Sequence, residues 1–176
     1  PERPHNTSVV VTPDGAVAAA YRKIHLFDVD VGGERYRESE STLPGNAVVS
    51  VRVEGFEVGL SICYDVRFPE LYRELAQRGA EVLTVPAAFT LNTGKEHWHV
   101  LLRARAIESQ CYVLAAAQTG VHPGGRATYG HSLVVDPWGT VIAEASDGVG
   151  IATATLEREF LTTIRRRLPA LAHRRL

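Results

Sequence analysis

The amino-acid sequence predicts an α/β fold, a layered domain built around a mixed sheet. In the middle of the chain, short and nearly continuous apolar runs alternate with two longer segments of helical composition. This alternation is typical of strands that are buried on both faces and connected by helices. The last third continues as short strands separated by turn residues, which indicates antiparallel meanders. A sheet that contains both parallel and antiparallel neighbours accommodates the two patterns.

The first third of the chain predicts two hairpins and a long loop. Residues 6–11 and 16–23 are rich in residues that favour strands, and the turn signal TPDG separates them. Residues 24–46 read as an irregular stretch rich in glycine and charge, and a loop of this length in a compact domain is usually functional. Residues 47–53 and 56–63 predict a second hairpin, whose later strand is almost entirely apolar.

The middle of the chain predicts two helices around a buried strand. Residues 68–79 form a helix in which Pro69 occupies the first turn. Residues 80–88 are an apolar strand. Residues 93–110 predict a second helix with Thr93 as its N-cap, and it is apolar on so much of its surface that it packs between layers or at an interface.

The remainder of the chain predicts strands and one closing helix. A glycine-rich loop over 121–130 interrupts them. The predicted strands are 111–118, 131–136, 140–145 and 149–156, and the helix is 157–168.

The composition excludes several classes of function. The chain has 176 residues, a formal charge of −1 and 45% hydrophobic residues, and its isoelectric point is near 6.8. A chain that is neutral overall has no global attraction for nucleic acid or an anionic membrane, and its apolar content argues against disorder. We therefore expect one domain in the cytoplasm, with Cys63 and Cys111 as thiols and with neither nucleic acid nor membrane as a partner.

Cys63 is the strongest candidate for chemistry. An apolar strand runs directly into it and a helix begins about five residues later, so its side chain would lie at the carboxyl edge of the sheet, where α/β proteins bind ligands. The backbone N–H of Tyr64 would then face a developing oxyanion. The alternative is that Cys63 is a small buried hydrophobic residue. Cys111 begins a buried strand without turn residues around it, and there we expect the structural role.

A lysine and three acidic residues extend this candidate site. Lys23 ends a predicted strand, and an ammonium beside a thiol would favour the thiolate and steady an oxyanion. Glu34, Glu38 and Glu40 follow in the predicted loop, where one carboxylate could orient Lys23 and tune its pKa. The alternative for each of these residues is a charge that faces only water.

Five segments together resemble the nitrilase superfamily of carbon–nitrogen hydrolases. They also resemble, within it, the branch of amidases that act on deaminated glutathione, near the ω-amidases. The segments are YRKIHLFDVDV (21–31), ESESTLPG (38–45), ICYDVRFPEL (62–71), EHWHVLLRARAIESQCYV (96–113) and YGHSLVVDPWGTV (129–141). They occur in the family's order and span most of the chain.

The resemblance implies a fold and a mechanism. The fold is a four-layer αββα sandwich, usually assembled as a homodimer or a higher homo-oligomer, and the family uses neither a metal nor an organic cofactor. Cys63 matches the family nucleophile, Lys23 the family lysine and Glu38 the second glutamate, with Tyr64 as an oxyanion donor. The implied reaction is hydrolysis of a small primary amide through a cysteine thioester, with release of ammonia. An ω-amidase or an N-carbamoyl amide hydrolase is the alternative.

Substrate selection is expected near the nucleophile. The loop at 87–94 and the side chain of Arg67 are candidates, and Phe89 is a candidate wall of the pocket, although a core position suits it equally well. His99 stands where relatives usually have a glutamate, which would change the local charge. His97 and His99 do not share a helix face and make a poor metal pair.

The family's general-base glutamate has no counterpart in the sequence. It belongs well upstream of the lysine motif, and before Lys23 the chain offers only Glu2, so no residue is assigned this role. We expect residues 1–176 to be the C-terminal two-thirds of a carbon–nitrogen hydrolase domain, without its first strand, first helix and catalytic glutamate. On this interpretation the 176 residues alone are inactive. A non-catalytic fragment or structural subunit is the hypothesis from a different class.

Overall fold

The computed structural model describes residues 3–175, which contain twelve strands and three α-helices. Two 3-10 turns, Glu38–Glu40 and Cys63–Arg67, complete the described secondary structure. The strands and helices follow in this order: β1 Thr7–Val11, β2 Val17–Arg22, β3 Asp28–Val31, β4 Glu34–Arg37, β5 Ser50–Val53, β6 Phe56–Leu60, α1 Pro69–Gln77, β7 Val82–Thr84, α2 Leu91–Ser109, β8 Tyr112–Ala115, β9 Thr119–Val121, β10 Ala127–Tyr129, β11 Leu133–Val135, β12 Val141–Glu144 and α3 Arg158–Arg167.

A six-stranded mixed sheet organises the chain, in the order β12-β11-β8-β7-β6-β5. The three central strands β6, β7 and β8 are parallel, while β5, β11 and β12 pair antiparallel at the two sides. Parallel neighbours need crossover connections, and α1 and α2 supply them. The predicted α/β class and the mixed sheet are confirmed.

The core lies between this sheet and the crossover helices. Leu83 of β7 and Leu75 of α1 are fully buried, as are Trp98, Leu102 and Ala106 of α2. The α2 residues recur every four positions, so they share one face of the helix. The indole N–H of Trp98 donates to the carbonyl of His131 at 2.8 Å, which satisfies the polar atom of this buried ring.

Helix α3 closes the amino ends of the parallel strands. The Arg165 guanidinium donates to the carbonyls of Ala80 and Gln110, which precede β7 and β8. Leu161 and Ile164 of α3 are buried. The opposite, carboxyl edge of the strands is therefore the one left for a cavity.

Three two-stranded hairpins lie outside the main sheet: β1–β2, β3–β4 and β9–β10. The first was predicted, and the other two correct the sequence analysis, because residues 24–46 and 121–130 were expected to be irregular. In the β3–β4 hairpin, Gly32 and Gly33 both adopt positive φ, and they form a tight turn between two short, half-polar strands. Strands this short carry little apolar periodicity to detect.

Two further boundaries differ from the prediction. Helix α2 begins at Leu91 with Thr90 as the N-cap residue, while Thr93 lies in the first turn and its hydroxyl is 2.7 Å from that of Thr90. Residues 149–156 form no strand. Val149 and Ile151 project into solvent, so this apolar run has no buried face to present to a sheet.

A close approach at Gly94 fixes the β9–β10 hairpin against α2. A Cβ at this position would lie 2.3 Å from Cβ of Tyr129, so only glycine permits the contact. The backbone of the hairpin is bonded there as well, since Tyr129 N donates to Phe89 O at 2.9 Å. Within residues 3–175, every helix is too short or too polar to span a bilayer.

Candidate active site

A cavity of about 890 Å³ opens at the carboxyl ends of the three parallel strands. Each strand is followed by a segment that lines it: residues 62–64 after β6, 86–90 after β7 and 116–118 after β8. The hairpins β1–β2, β3–β4 and β9–β10 supply the remaining walls. Carboxyl ends of parallel strands are the usual ligand position in α/β folds, so this cavity is the candidate active site.

Cys63 lines the cavity on a strained turn. Its φ is +49°, in the left-handed region that non-glycine residues rarely adopt. The backbone holds it there, because Cys63 N donates to Pro86 O at 2.9 Å and a 3-10 turn follows immediately. Such strain costs about 1–3 kcal/mol and persists where the surroundings over-determine it, which is typical of functional positions. The predicted strand-to-helix turn is confirmed.

A buried carboxylate, which the sequence analysis did not single out, holds this turn. Asp65 is fully buried. Its Oδ2 accepts the backbone N–H of Ile62 at 2.8 Å and the hydroxyl of Tyr21 at 2.7 Å. Its Oδ1 accepts the backbone N–H of His25 at 3.1 Å and lies 2.8 Å from Nδ1 of the same residue. Tyr21 and His25 flank Lys23, so Asp65 ties the nucleophile turn to the lysine segment.

Lys23 and Glu38 form a paired charge in the cavity. Lys23 is 2% exposed, and its Nζ lies 2.5 Å from Oε2 of Glu38. The same oxygen accepts Phe27 N at 2.7 Å, and Oε1 accepts the amide of Asn6 at 3.1 Å. Burial pushes the pKa of Glu38 upward, but these donors outweigh burial and hold the pKa below its ordinary value. Glu38 is therefore an occupied, persistent anion.

The cavity keeps the Cys63 thiol neutral at rest. Desolvation raises its pKa, and the charge of Lys23 opposes that shift without cancelling it, while Glu38 and Asp65 add to it. The sequence analysis expected the ammonium to favour the thiolate. Lys23 does act in that direction, but burial prevails, so attack on a substrate requires a group that removes the proton.

The structure places the other predicted residues as follows. Tyr64 and Phe89 line the cavity, and Tyr64 N lies in the first turn of a 3-10 helix, where N–H groups lack an intrahelical partner. Phe89 is also nearly buried against Trp98, so it is both wall and core. Arg67 does not line the cavity. Its guanidinium lies 5.1 Å from the Phe89 ring, and its contact with substrate stays a prediction.

The remaining candidates lie apart from the cavity. Glu34 and Glu40 are exposed and do not line it, so among the described lining residues Glu38 is the only carboxylate. Glu2 lies outside the described residues. Cys111 is fully buried, and burial raises the pKa of its thiol to about 11, in agreement with the expected structural role.

A second polar cluster lies outside the cavity lining. Nε2 of His99 and Nδ1 of His131 lie 2.9 Å and 2.7 Å from the same oxygen of Glu144. Their ligand atoms are close enough to hold a cation, and within residues 3–175 no other such group of His, Cys, Asp and Glu is found. His99 thus pairs with a distant strand and not with its helix neighbour His97. The carboxylate of Glu144 compensates locally for the glutamate that His99 replaces.

Comparison with known proteins identifies the fold. A family model described as carbon-nitrogen hydrolase matches residues 1–166. Deaminated glutathione amidase of Rattus norvegicus is 55% identical over 173 residues, which is 97% of this chain and 53% of that protein. The crystal structure of Caenorhabditis elegans NitFhit superposes with a TM-score of 0.93 at 50% identity, covering 98% of this chain and 42% of that one.

A third likeness is to an amidase with a modified cysteine. In a mutant of the amidase from Nesterenkonia sp. AN1, acrylamide has added at the active site cysteine; its TM-score is 0.75 at 30% identity, with 93% of this chain and 61% of that one covered. The chain spans about half the length of the mammalian relatives it matches. The predicted fold and family resemblance are confirmed.

Replacing Asp65 by asparagine is expected to destabilise the protein and disorder the nucleophile turn. The side-chain NH₂ would face hydrogen-bond donors, and leaving buried groups unpaired costs about 3 kcal/mol or more. Thermal and urea unfolding measure the loss. Asp147→Asn is the matched control, since its carboxylate is 95% exposed. An unchanged unfolding free energy for Asp65→Asn would contradict the proposed clamp.

Alkylation distinguishes the two cysteines. Iodoacetamide is expected to modify Cys63 and to spare Cys111, because only Cys63 opens into the cavity. The rate rises with pH, since the pKa of Cys63 is raised and only the thiolate reacts. Lys23→Met slows the reaction further, because it removes the charge that lowers this pKa. Mass spectrometry locates the label, and labelling of Cys111 in folded Cys63→Ser would refute the assignment.

Proposed function

The chain belongs to the carbon-nitrogen hydrolase family, and we propose that it hydrolyses the C–N bond of a small primary amide with Cys63 as the nucleophile. The observation that carries the proposal is the strained Cys63 turn, which opens into a cavity shared with the Lys23–Glu38 pair. The name of the rat relative and the active site cysteine of the Nesterenkonia amidase support it. By the same likeness we propose an amide similar to deaminated glutathione as substrate.

The first step is attack on the amide carbon. A base removes the Cys63 proton, and the thiolate forms a C–S bond while the carbonyl π electrons move to oxygen. Glu38 is a poor candidate for this base, because both of its oxygens already accept hydrogen bonds and its pKa is held low. We propose that another carboxylate, outside the residues the structure describes, approaches the cavity to take the proton.

The oxyanion is then stabilised by two groups of this chain. The Lys23 ammonium supplies a charge and the Tyr64 backbone N–H a donor, and each such preorganised donor contributes about 3–4 kcal/mol in related sites. Glu38 has a positioning role. Its carboxylate fixes the lysine side chain and keeps it protonated inside a partly dry cavity.

Collapse of this intermediate gives the products. The C–N bond breaks as the base returns its proton to the nitrogen, so ammonia leaves and the acyl group remains on Cys63 as a thioester. Water, deprotonated by the same base, attacks the thioester carbon, and the C–S bond breaks to restore the thiol. The net reaction converts the amide and water into a carboxylic acid and ammonia.

We also propose that the protein forms a homodimer through the outer face of α2. Val100 and Ile107 on this face are 66% and 47% exposed, and Trp138 is 59% exposed. They belong to one surface, because a Cβ at Gly139 would lie 2.5 Å from Ile107 and Arg103 Nε donates to Gly139 O at 2.7 Å. Large exposed apolar side chains in one patch are typical of an interface.

Trp138→Glu is expected to raise the dimer dissociation constant by about 10-fold or more, because a charge would be buried in the proposed interface. Analytical ultracentrifugation across a concentration series measures it. Ile151→Glu is the control, since Ile151 is exposed on a different segment. A native protein that stays monomeric at high concentration would eliminate this proposal.

Ammonia release tests the proposed chemistry. In the native protein, Cys63→Ala is expected to abolish turnover of small primary amides, and Lys23→Met to lower kcat by about 10²–10³-fold through loss of one oxyanion donor. Lys95→Met is the matched control, because Lys95 is the other lysine of the chain and lies exposed on α2. Turnover retained in Cys63→Ala would end the proposal.

A further inference from the structure

We propose that Arg126, supported by Arg37, binds a carboxylate at the far end of the amide substrate, so that the protein prefers anionic amides. This inference rests on the proposed amidase function and names the class of substrate for the same cavity. Three cationic side chains line the cavity (Lys23, Arg37 and Arg126), against the single carboxylate of Glu38. Since Lys23 and Glu38 neutralise each other, the two arginines leave the cavity with a net positive charge.

The size of the cavity requires a substrate larger than a simple amide. Its volume of about 890 Å³ lies toward the upper end of the range of roughly 300–1,000 Å³ that holds drug-sized ligands. The reacting amide needs only the region beside Cys63. The rest of a bound molecule must therefore extend along the aromatic wall formed by Phe27 and Tyr36, whose rings lie 5.0 Å apart, toward the β3–β4 and β9–β10 hairpins.

Arg126 is held in place but retains free donors. Its guanidinium lies over the Tyr36 ring at 4.5 Å, and Nη2 donates to Arg35 O at 3.0 Å. The nearest carboxylate, on Glu34, is 3.8 Å from Nε, and both side chains are about half exposed, so this pair is weak and easily exchanged for a ligand. Among the described contacts, Nη1 is unoccupied. A guanidinium fixed in this way is prepared for bidentate binding of a carboxylate.

Arg37 contributes charge more than direct contact. Its Nη1 donates to Val29 O at 3.0 Å and to Tyr36 O at 2.7 Å, and Nη2 pairs with Asp30, whose side chain is largely exposed. These bonds fix the guanidinium on the β3–β4 hairpin at the cavity wall. Because its hydrogen bonds support the hairpin itself, Arg37 is the less suitable residue to replace in a test.

The decisive experiment compares two amides that differ only in charge. Glutaramate carries a primary amide and a distal carboxylate, and its methyl ester carries the same amide without the charge. In the native protein, kcat/KM is expected to favour glutaramate. Arg126→Ala should raise KM for glutaramate by about 10-fold or more and leave kcat and the ester within about 2-fold, because a charge-assisted hydrogen bond to the distal group is lost.

Two further variants sharpen the comparison. Arg126→Lys should recover part of the loss, since it restores the charge without the planar fork. Arg35→Ala is the matched control, because its side chain is exposed on the same hairpin and does not line the cavity. Raising the ionic strength should increase KM for glutaramate alone, since salt screens exposed charges.

The outcomes separate this inference from the proposed function. Equal effects of Arg126→Ala on both amides, or no preference for glutaramate in the native protein, would overturn the inference and leave the amidase intact. If neither amide is hydrolysed, calorimetric binding of glutaramate to Cys63→Ala still decides the question. Binding that is lost in the Cys63→Ala/Arg126→Ala double variant supports the anion site, and binding that is unchanged refutes it.

Discussion

The buried carboxylate of Asp65 is the constraint on which the site depends. A fully buried anion is costly unless hydrogen-bond donors surround it, and here Tyr21, Ile62 and His25 provide them. Because these donors come from two segments of the chain, the carboxylate cannot be satisfied unless both are in place. The energetic requirement to pair Asp65 therefore also fixes the strained conformation of Cys63 relative to Lys23, without any direct bond between those two side chains.

This arrangement separates charge from nucleophile in the resting site. Lys23 and Glu38 neutralise each other at short range, so the cavity places no net charge beside the thiol from this pair, and burial keeps Cys63 protonated. When an oxyanion forms, the ammonium is already oriented and pays no reorganisation energy. The depressed pKa of Glu38 keeps this pair charged at neutral pH, and its stabilising effect is lost only as the pH falls through that lowered pKa, well below 4.5.

The sequence predicted those features whose causes are local. The strand-to-helix turn at Cys63, the crossover helices and the apolar strands all follow from periodicity and turn residues within a short window. Asp65 was not identified, because its role depends on Tyr21, a residue 44 positions away whose proximity only the fold creates. The β3–β4 and β9–β10 hairpins were missed for the related reason that strands of three or four residues, packed on other hairpins, have little apolar pattern. With them the sequence analysis missed Arg37 and Arg126.

The same division has a consequence for how substrate range can change. The reacting groups lie on segments that follow the strands of the main sheet, or are tied to them through Asp65, so a substitution there disturbs the core. The arginines lie on hairpins outside that sheet, where loops tolerate replacement and exposed contacts contribute little to stability. Altering the charge at the cavity wall should therefore change which amides bind while the nucleophile, its oxyanion donors and the fold remain intact. In this protein, selectivity and chemistry are carried by parts of the chain with different energetic ties to the core.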